Sequence, residues 1–294
     1  SPATDGALNI STSGPFVSSD FEMAYGTDTH TASSWEAILP EWTKQTSLVD
    51  VWGSSSTARG IEWNGSIFCA VGDYGKCATS PDGVTWTNQP GFYSATSSGM
   101  MTSVAWDGTQ FCAVGDYSKC ATSPDGVTWT NQPSFNTALD ESYIHSVTWT
   151  GNQFCAIGSE GKGATSPDGV TWTAQPSLTS AVGEYALLSA IAWNGTQVCA
   201  VGVWAACATS PDGVTWTNQP SLATATSGGH MRSVAWDGTQ FCAVGDSGKC
   251  ATSPDGVTWT NQPSLASVFG TSGAKSVAWD GTQFCAVGDY SKCA

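Results

Sequence analysis

Short apolar runs separated by polar turns follow one another along most of this chain. In the stretch SVAWDGTQFCAVGDYSKCATSPDGVTWTNQP, residues 103–133, the apolar and β-branched positions form four such runs. The pattern predicts strand A at 103–106, strand B at 110–114, strand C at 119–123 and a strand D that begins at Thr128. Between strands A and B, Asp107 and Gly108 both tolerate positive φ, which predicts a type I′ hairpin turn. Helix-forming segments are nearly absent, so the predicted fold is all-β.

The same unit recurs at a nearly constant period. The tryptophan that ends strand A returns at intervals of 43, 43, 44, 43 and 43 residues. A period of about 40 to 50 residues that carries four short strands is typical of propeller blades. The tryptophans of strands A and D are expected to be blade-packing core. The strand A tryptophans are Trp63, Trp106, Trp149, Trp193, Trp236 and Trp279.

The number of blades depends on both ends of the chain. Six A strands are present, but SPDGVTW occurs only five times, and the sequence ends inside the sixth strand C. The segment 41–47 parallels strand D of the repeats, so an N-terminal strand is expected to complete the last blade and close the ring. This predicts a six-bladed propeller of four-stranded blades at 41–294. Residues 1–40 form a separate extension, expected to pack on the propeller or on a neighbouring copy.

The SPDGVTW string carries a family resemblance. It matches the pattern Ser/Thr-x-Asp-x-Gly-x-Thr-Trp, and the chain resembles the Asp-box (BNR, sialidase-type) repeat propellers over the predicted ring. The resemblance implies that the Asp-box is a structural turn between strands C and D, on the face away from the active site. Its aspartates are then expected to accept backbone N–H bonds within the turn. They are Asp82, Asp125, Asp168, Asp212 and Asp255.

Catalysis is not expected. A sialidase-like site needs three arginines around the substrate carboxylate, whereas this chain has only Arg59 and Arg232. Three histidines without an HxH or HExxH pattern indicate no metal site, and no cofactor is expected. Glycoside hydrolysis by two loop carboxylates stays open as an alternative, although no spacing singles out a pair. The non-repeat loop acids are Asp140, Glu141, Glu160 and Glu184.

One face of the predicted propeller varies between copies. The A–B and C–D turns are nearly constant, while the B–C turns and the D-to-A crossovers differ, so the working surface is expected on the B–C face. At one position of the B–C turn, four of six copies are aromatic. The six residues there are Tyr74, Tyr117, Glu160, Trp204, Ser247 and Tyr290.

These aromatic residues are candidates for binding sugar rings. Trp204, Tyr74, Tyr117 and Tyr290 would stack on the C–H surface of a sugar, with Trp204 the strongest candidate. Nearby carboxylates would accept hydrogen bonds from sugar hydroxyls. The competing interpretation is that the aromatic rings cap the apolar interface between blades. The candidate carboxylates are Asp73, Asp116 and Asp289.

Ten of the eleven cysteines form pairs that are eight residues apart and flank the B–C turn. A three-residue turn at 115–117 would place Cys112 and Cys120 directly opposite each other, within disulfide reach. Disulfides would indicate an extracellular location. Alternatively, cysteine is a small buried apolar residue here, since Cys155 persists where its partner position is Gly163. The candidate disulfides are Cys69/Cys77, Cys112/Cys120, Cys199/Cys207, Cys242/Cys250 and Cys285/Cys293.

Charge and hydropathy narrow the range of partners. The formal net charge is -15, from 9 Lys+Arg against 24 Asp+Glu, so nucleic acid is not expected as a partner. No apolar run is long enough to span a membrane. The sequence therefore predicts a non-catalytic extracellular recognition or adhesion propeller that binds glycans or a cell surface. A subunit of an extracellular filament, appendage or virion fibre, assembled through the N-terminal extension, is the alternative.

Overall fold

The computed structural model describes residues 47–53 and 56–294. In this part, consecutive strands form five four-stranded sheets and one two-stranded sheet, with neighbouring strands adjacent in chain order. All the pairs in these sheets are antiparallel. The molecule is an all-β propeller built from a repeated four-stranded unit. No helix in the described part is both long and apolar enough to cross a membrane.

The strands are numbered β1 to β22 in chain order and fall into four classes. The A strands are β1 (Ala58–Trp63), β5 (Met101–Trp106), β9 (Ile144–Trp149), β13 (Leu188–Trp193), β17 (Met231–Trp236) and β21 (Ala274–Trp279). The B strands are β2 (Phe68–Gly72), β6 (Phe111–Gly115), β10 (Phe154–Gly158), β14 (Val198–Gly202), β18 (Phe241–Gly245) and β22 (Phe284–Gly288). The C strands are β3 (Cys77–Ser80), β7 (Cys120–Ser123), β11 (Gly163–Ser166), β15 (Cys207–Ser210) and β19 (Cys250–Ser253). The D strands are β4 (Thr87–Asn88), β8 (Thr130–Asn131), β12 (Thr173–Ala174), β16 (Thr217–Asn218) and β20 (Thr260–Asn261).

The A strands lie innermost. Neighbouring A strands run in the same direction: the Thr102 hydroxyl donates to the Ile144 carbonyl at 2.6 Å, and the Val147 N–H donates to Ser103 Oγ at 3.2 Å. Residues from all six copies line one cavity of about 510 Å³. The six A strands therefore line a common central cavity, which we call the channel.

The hydrophobic core lies between adjacent blades. Cys69 and Val71 of the first copy are completely buried in one cluster with Met101 and Phe111 of the second. The same kind of cluster joins the second copy to the third and the fourth to the fifth. Since burying a large apolar side chain contributes about 1.5 to 3 kcal/mol, each blade is stabilised mainly by its neighbours.

Strand D and the A–B turn differ from the sequence prediction. Strand D is two residues long and begins after the tryptophan, because the indole N–H of Trp129 donates to the Gly126 carbonyl at 2.9 Å and the ring packs inward. The A–B turn has four residues, since Trp106 pairs with Phe111. Only Gly108 of the predicted pair has a positive φ, 99°. The Asp107 carboxylate accepts backbone N–H bonds within the turn, so type I′ was wrong and an Asx turn forms.

The crossovers contain short helices that the sequence pattern did not reveal. They have six or seven residues, too short to show an amphipathic period and too short to be stable alone. Most bury one large apolar residue against the blades, such as Phe92, Phe135 or Leu178. The helices are α1 (Ser47–Trp52), α2 (Gly91–Thr96), α3 (Pro133–Leu139), α4 (Pro176–Val182), α5 (Ser221–Thr226) and α6 (Ser264–Phe269).

The sixth copy is shorter than the others within the described residues. After β21 and β22, Val287 pairs with Cys293 in a single bridge. Ala286 and Ala294 exchange backbone hydrogen bonds of 2.7 and 2.9 Å. Of the segment 41–47, predicted to supply an N-terminal strand, residues 41–46 lie outside the described residues and Ser47 begins α1. The predicted extension at 1–40 also lies outside the described residues.

Candidate functional site: the rim loops and the channel mouth

Each B strand ends at a glycine that is followed by a tight turn of three residues. We call these turns the rim loops, because they surround the end of the channel where the A strands begin. They occupy 73–75, 116–118, 159–161, 203–205, 246–248 and 289–291.

The rim loops are fastened to the crossovers by backbone contacts. A Cβ on Gly115 would lie 2.1 Å from the Met100 carbonyl oxygen, so only glycine allows this approach. The N–H of Asp116 donates to that same carbonyl at 2.9 Å, and the N–H of Ser118 donates to the Ser142 carbonyl of the next crossover at 2.8 Å. All six copies make the first hydrogen bond, and four make the second. The backbone of the rim is therefore well fixed.

The central residue of each rim loop adopts the left-handed backbone conformation. Its φ lies between 54° and 60° in all six copies. This conformation directs the side chain to solvent: Tyr74 is 62% exposed, Tyr117 53%, Trp204 73% and Tyr290 88%. The competing interpretation, in which these rings cap the apolar blade interface, is wrong because buried crossover residues such as Phe92 cover that interface.

Two of the exposed aromatic residues have ring neighbours on a crossover. The rings of Tyr117 and Tyr143 are 5.2 Å apart, and their hydroxyl oxygens are 3.2 Å apart. Trp204 meets His230 edge to face at 4.6 Å. His230 Nδ1 in turn lies 3.6 Å from a carboxylate oxygen of Asp246. The rim thus presents two composite aromatic patches together with the exposed rings of Tyr74 and Tyr290.

The candidate rim aspartates have other partners than the sequence suggested. Arg59, at the second position of its A strand, donates to Asp73. Lys275, at the same position of the sixth copy, lies 3.1 Å from Asp289, which also accepts the Gly273 N–H at 3.0 Å. These carboxylates are therefore occupied by intramolecular partners. The sequence pattern could not show this, because the cations precede the loops by 14 residues.

The end of the channel that the rim loops surround is called the channel mouth. The fifth copy has the most extensive ion pairing there. Arg232 donates two hydrogen bonds to Asp246, at 2.6 and 3.0 Å. This bidentate contact, aided by Lys275 and His230, holds the pKa of Asp246 below its usual value. In the described part, the cations outside the repeated B–C lysine position are Arg59, Arg232 and Lys275. All three lie at the channel mouth.

Asp116 differs from the paired aspartates. It is buried, and its Oδ1 atom has no hydrogen-bond partner among the described residues. Burial raises its pKa to about 6, an effect that Arg59 opposes and Asp73 reinforces. Burial, together with the charge of Arg59, lowers the pKa of His145 to about 4. At neutral pH the mouth therefore holds a neutral histidine and a buried, unpaired carboxylate.

The SPDGVTW aspartates lie on the opposite face. Asp82 accepts the N–H groups of Thr85 and Val84 at 2.8 and 2.9 Å, and the Ser80 hydroxyl at 3.0 Å. These bonds, led by that from Thr85, hold the pKa of Asp82 below its usual value. Asp125, Asp168, Asp212 and Asp255 make the same backbone contacts. Their geometry is that of residues that form a turn.

The cysteines are free thiols in this structure. The register pairs Val114 with Cys120 and Cys112 with Thr122, so the two cysteines are diagonal and the expected direct opposition was wrong. The reason is that the turn begins one residue later than predicted, at Asp116. The sulfur atoms of Cys112 and Cys120 are 3.8 Å apart, as are those of Cys69/Cys77 and Cys242/Cys250. Disulfide formation stays a prediction.

The non-repeat loop acids do not converge on a pocket. Asp140 and Glu141 are exposed in the crossover after α3, Glu184 is exposed after α4, and Glu160 is exposed in a rim loop beside Lys162. Among the described residues, no group of three His, Cys, Asp or Glu side chains is arranged to hold a metal ion.

Sequence reasoning missed a second site at the other end of the channel. The strand A tryptophans are not fully buried core: Trp106, Trp149, Trp193, Trp236 and Trp279 are half-buried and line the central cavity. Glu62 lines it with them. The sequence did show that Glu62 is unusual, since the residue before the strand A tryptophan is alanine or threonine in every other copy.

Comparison with known proteins identifies the fold. Residues 80–203 match the family model of the DUF6242 beta propeller domain, from the end of the first C strand to the fourth rim loop. No curated protein matches the chain.

Solved structures agree with this assignment. The chain is similar to one from the crystal structure of the mitotic checkpoint complex, with a TM-score of 0.62, 11% identity, and coverage of 88% of this chain and 82% of that one. It is also similar to the Cps50 (Swd1) β-propeller domain from Myceliophteria thermophila (TM-score 0.55, 9% identity, 80% and 81% covered). A third similar structure is PorZ from Porphyromonas gingivalis (TM-score 0.53, 10% identity, 81% of this chain, 32% of that one). At these identities the likeness shows the fold alone. The Asp-box resemblance remains a prediction, and the fold is that of a β-propeller.

Proposed function

We propose that this protein is a non-catalytic recognition module that binds glycans at several points through its rim loops. The observation that carries the proposal is the exposure of large aromatic side chains on a fixed backbone in four of six copies. Exposed rings of this size have no role in the apolar core of the same blades.

The physical basis is preorganisation. A non-glycine residue at positive φ costs about 1 kcal/mol or more, and here the contacts around Gly115 and its equivalents maintain that conformation. Because the backbone is held in place, a ligand that stacks on the ring does not bear the cost of ordering the loop. Aromatic faces of tyrosine and tryptophan suit the apolar C–H surface of a sugar ring.

The two aromatic patches define the strongest binding points. Trp204 provides a broad face, and the imidazole of His230 beside it offers a polar edge. Tyr117 and Tyr143 provide a second face with two hydroxyl groups. Weak binding at separate points of one rim becomes strong when a polymer or a surface presents many sugars, because later contacts are intramolecular.

A glycan array with rim variants tests the proposal. We expect Trp204→Ala to reduce glycan binding about tenfold or more and Tyr117→Ala to reduce it less, since one stacking face is lost in each. Ser247→Ala is the matched control at the same rim position without an aromatic ring, and it should leave binding unchanged. Ser247→Tyr should strengthen binding. Absence of binding by the unmodified protein, or equal binding by Trp204→Ala, would contradict the proposal.

We also propose an extracellular location, which the cysteine pairs make testable. Thiol titration in denaturant without reductant counts the free cysteines of protein recovered from the outside of its source cells. Five disulfides would leave one reactive thiol, that of Cys155, whereas a reduced protein would show all eleven cysteines listed by the sequence. A count of eleven contradicts the disulfides and removes this support for an extracellular location.

The ring is proposed to close through the segment that precedes α1. Ala278 and Val287 of the sixth copy pack against the cluster of Trp52 and Ile61 in the first. The Ser47 hydroxyl donates to the Val84 carbonyl, as equivalent crossover serines do in later blades. This register supports a strand D at 41–46. Deletion of 1–46 should then lower the melting temperature strongly, whereas deletion of 1–40 should not, and equal melting temperatures would contradict closure.

A further inference from the structure

Tryptophan side chains line the end of the channel opposite the rim. The A strands begin at the rim and end at their tryptophans, so the indole rings gather at the far end, beside the A–B turns. Asp280 and Gly281 of the last A–B turn also line the cavity, which shows that it reaches that surface. This site is separate from the rim loops, and the inference does not rest on the proposed function.

Glu62 is the distinctive residue of this cavity. It is the residue before the strand-ending tryptophan, a position that is occupied by Ala105, Thr148, Ala192, Ala235 and Ala278 in the other copies. It accepts a hydrogen bond from the backbone of Trp63. It makes no ion pair with any described residue. Its carboxyl group is therefore the single ionisable group at a position that is otherwise alanine or threonine.

The electrostatics of the cavity favour a cation. Glu62 and Asp280 are its charged lining residues, and among the described residues that line it there is no lysine, arginine or histidine. Burial raises the pKa of Glu62 well above its usual value, since a carboxylate without a partner is poorly solvated there. A bound cation would remove that cost. The five tryptophans add attraction, because the face of an indole ring is the most favourable aromatic partner for a cation.

The lining also distinguishes between kinds of cation. A primary ammonium group carries three N–H donors that need nearby acceptors, whereas the five indole rings that form much of the lining offer none. A quaternary ammonium group has no donors to satisfy and presents an apolar surface to indole rings. The cavity of about 510 Å³ is within the range of small-molecule sites, so it can accept such a group together with the body that carries it.

We propose that the cavity at the tryptophan end of the channel binds a quaternary ammonium ligand. Glu62 supplies the counter-charge, and the strand A tryptophans form the aromatic wall around the cationic group. Binding is non-covalent, and no reaction is involved.

Calorimetric titration of the full chain with choline tests this proposal. The neutral isostere 3,3-dimethylbutan-1-ol has the same shape without the charge and should bind about tenfold more weakly or worse. Glu62→Gln should weaken choline binding by about tenfold or more while preserving the shape of the cavity. Glu141→Gln is the matched control, since it removes the same charge from an exposed site at the other end of the molecule.

Two further readouts keep the test decisive. Trp193→Phe keeps an aromatic ring but weakens the cation interaction, so it should reduce choline affinity with little change in folding. Choline affinity should also fall as pH is lowered, as Glu62 becomes protonated. The other titratable groups here, among the described residues, are the Cys69 thiol, which is paired with Glu62 across β1 and β2, and Asp280, which lines the same cavity. No binding of choline, equal binding of the isostere, or undiminished binding by Glu62→Gln would each overturn the proposal.

Discussion

The same six A strands carry different chemistry at their two ends. At the rim end, Arg59, Arg232 and Lys275 each pair with a carboxylate of a rim loop. At the other end, five indole rings surround a cavity in which Glu62 has no cationic partner. At the rim end most charges are therefore paired within the molecule, with Asp116 as the exception, whereas the carboxyl group of Glu62 at the other end has no cation beside it among the described residues.

This difference follows from where the copies of the repeat vary. Most of the repeat is copied for structure, including the SPDGVTW turns and the buried B and C strands. Outside the crossovers and rim loops, the departures from the repeat, such as Glu62, His145 and Arg232, lie mainly on the A strands. Since the A strands line the channel, the most variable of the strands are also the most central ones.

The largest effect is expected from a rim glycine. Gly115→Ala places a Cβ 2.1 Å from the Met100 carbonyl oxygen and 2.8 Å from the Met101 Cα, which forces the backbone apart. We expect the free energy of unfolding to fall by about 3 kcal/mol, measured by urea denaturation. Gly91→Ala is the control, because its Cβ would meet only the Val127 carbonyl oxygen, at 3.6 Å. Equal stability of the two variants would show that the rim is not held by this close approach.

A smaller effect separates the two classes of tryptophan. Trp129→Phe removes a buried indole and its hydrogen bond to the Gly126 carbonyl, and should cost about 2 kcal/mol of unfolding free energy. Trp149→Phe changes a half-buried ring that lines the cavity and should cost about 1 kcal/mol. Thermal denaturation of both variants measures the difference. A greater loss for Trp149→Phe would mean that the strand A tryptophans are core after all.

The smallest effects concern the aspartates at the channel mouth, and their signs differ. The folded pKa of Asp246 is lowered, mainly by Arg232, so its contribution to stability is present above the unfolded pKa of about 4 and is lost as pH falls through the folded value. Asp246→Asn should therefore lower the unfolding free energy at pH 7 by about 1 kcal/mol, a partly screened value.

Asp116 should behave in the opposite way. Burial raises its folded pKa to about 6. The free energy of unfolding therefore falls as pH rises from about 4 to 6, because the carboxyl group then becomes charged without a partner in the folded state. Asp116→Asn should raise the unfolding free energy at pH 8 by about 1 kcal/mol, after allowance for screening by solvent and Arg59. Denaturation of both variants at pH 4 and pH 8 provides the measurement. Parallel pH dependence would refute the assignment of paired and unpaired roles.

The sequence predicted the repeated elements better than their details. Six A strands, their order and the variable face follow from periodicity, because each apolar run faces a neighbouring blade. The short crossover helices were missed, since six residues show no helical period. The Asx turn at Asp107 was missed because its carboxylate, rather than positive φ, makes the turn.

The candidate site was only partly predictable, for a physical reason. The exposed position of Trp204 follows from its place in the loop, but the pairing of Asp73 with Arg59 depends on how a strand start and a loop meet in space. The repeat shows that Glu62 differs from the equivalent residues of the other copies. The sequence could not show that this position lines a cavity, because that depends on how the A strands are arranged in space.

Main-chain hydrogen bonds hold each rim loop, so the backbone conformation of its central residue does not depend on which side chain that residue carries. Tyrosine, glutamate, tryptophan and serine occupy the same left-handed conformation in Tyr117, Glu160, Trp204 and Ser247, and all four loops share a main-chain hydrogen bond to the preceding crossover. Any one of these residues can be exchanged without a change in the frame. The rim therefore offers six equivalent positions at which the exposed side chain can change while the fold stays the same.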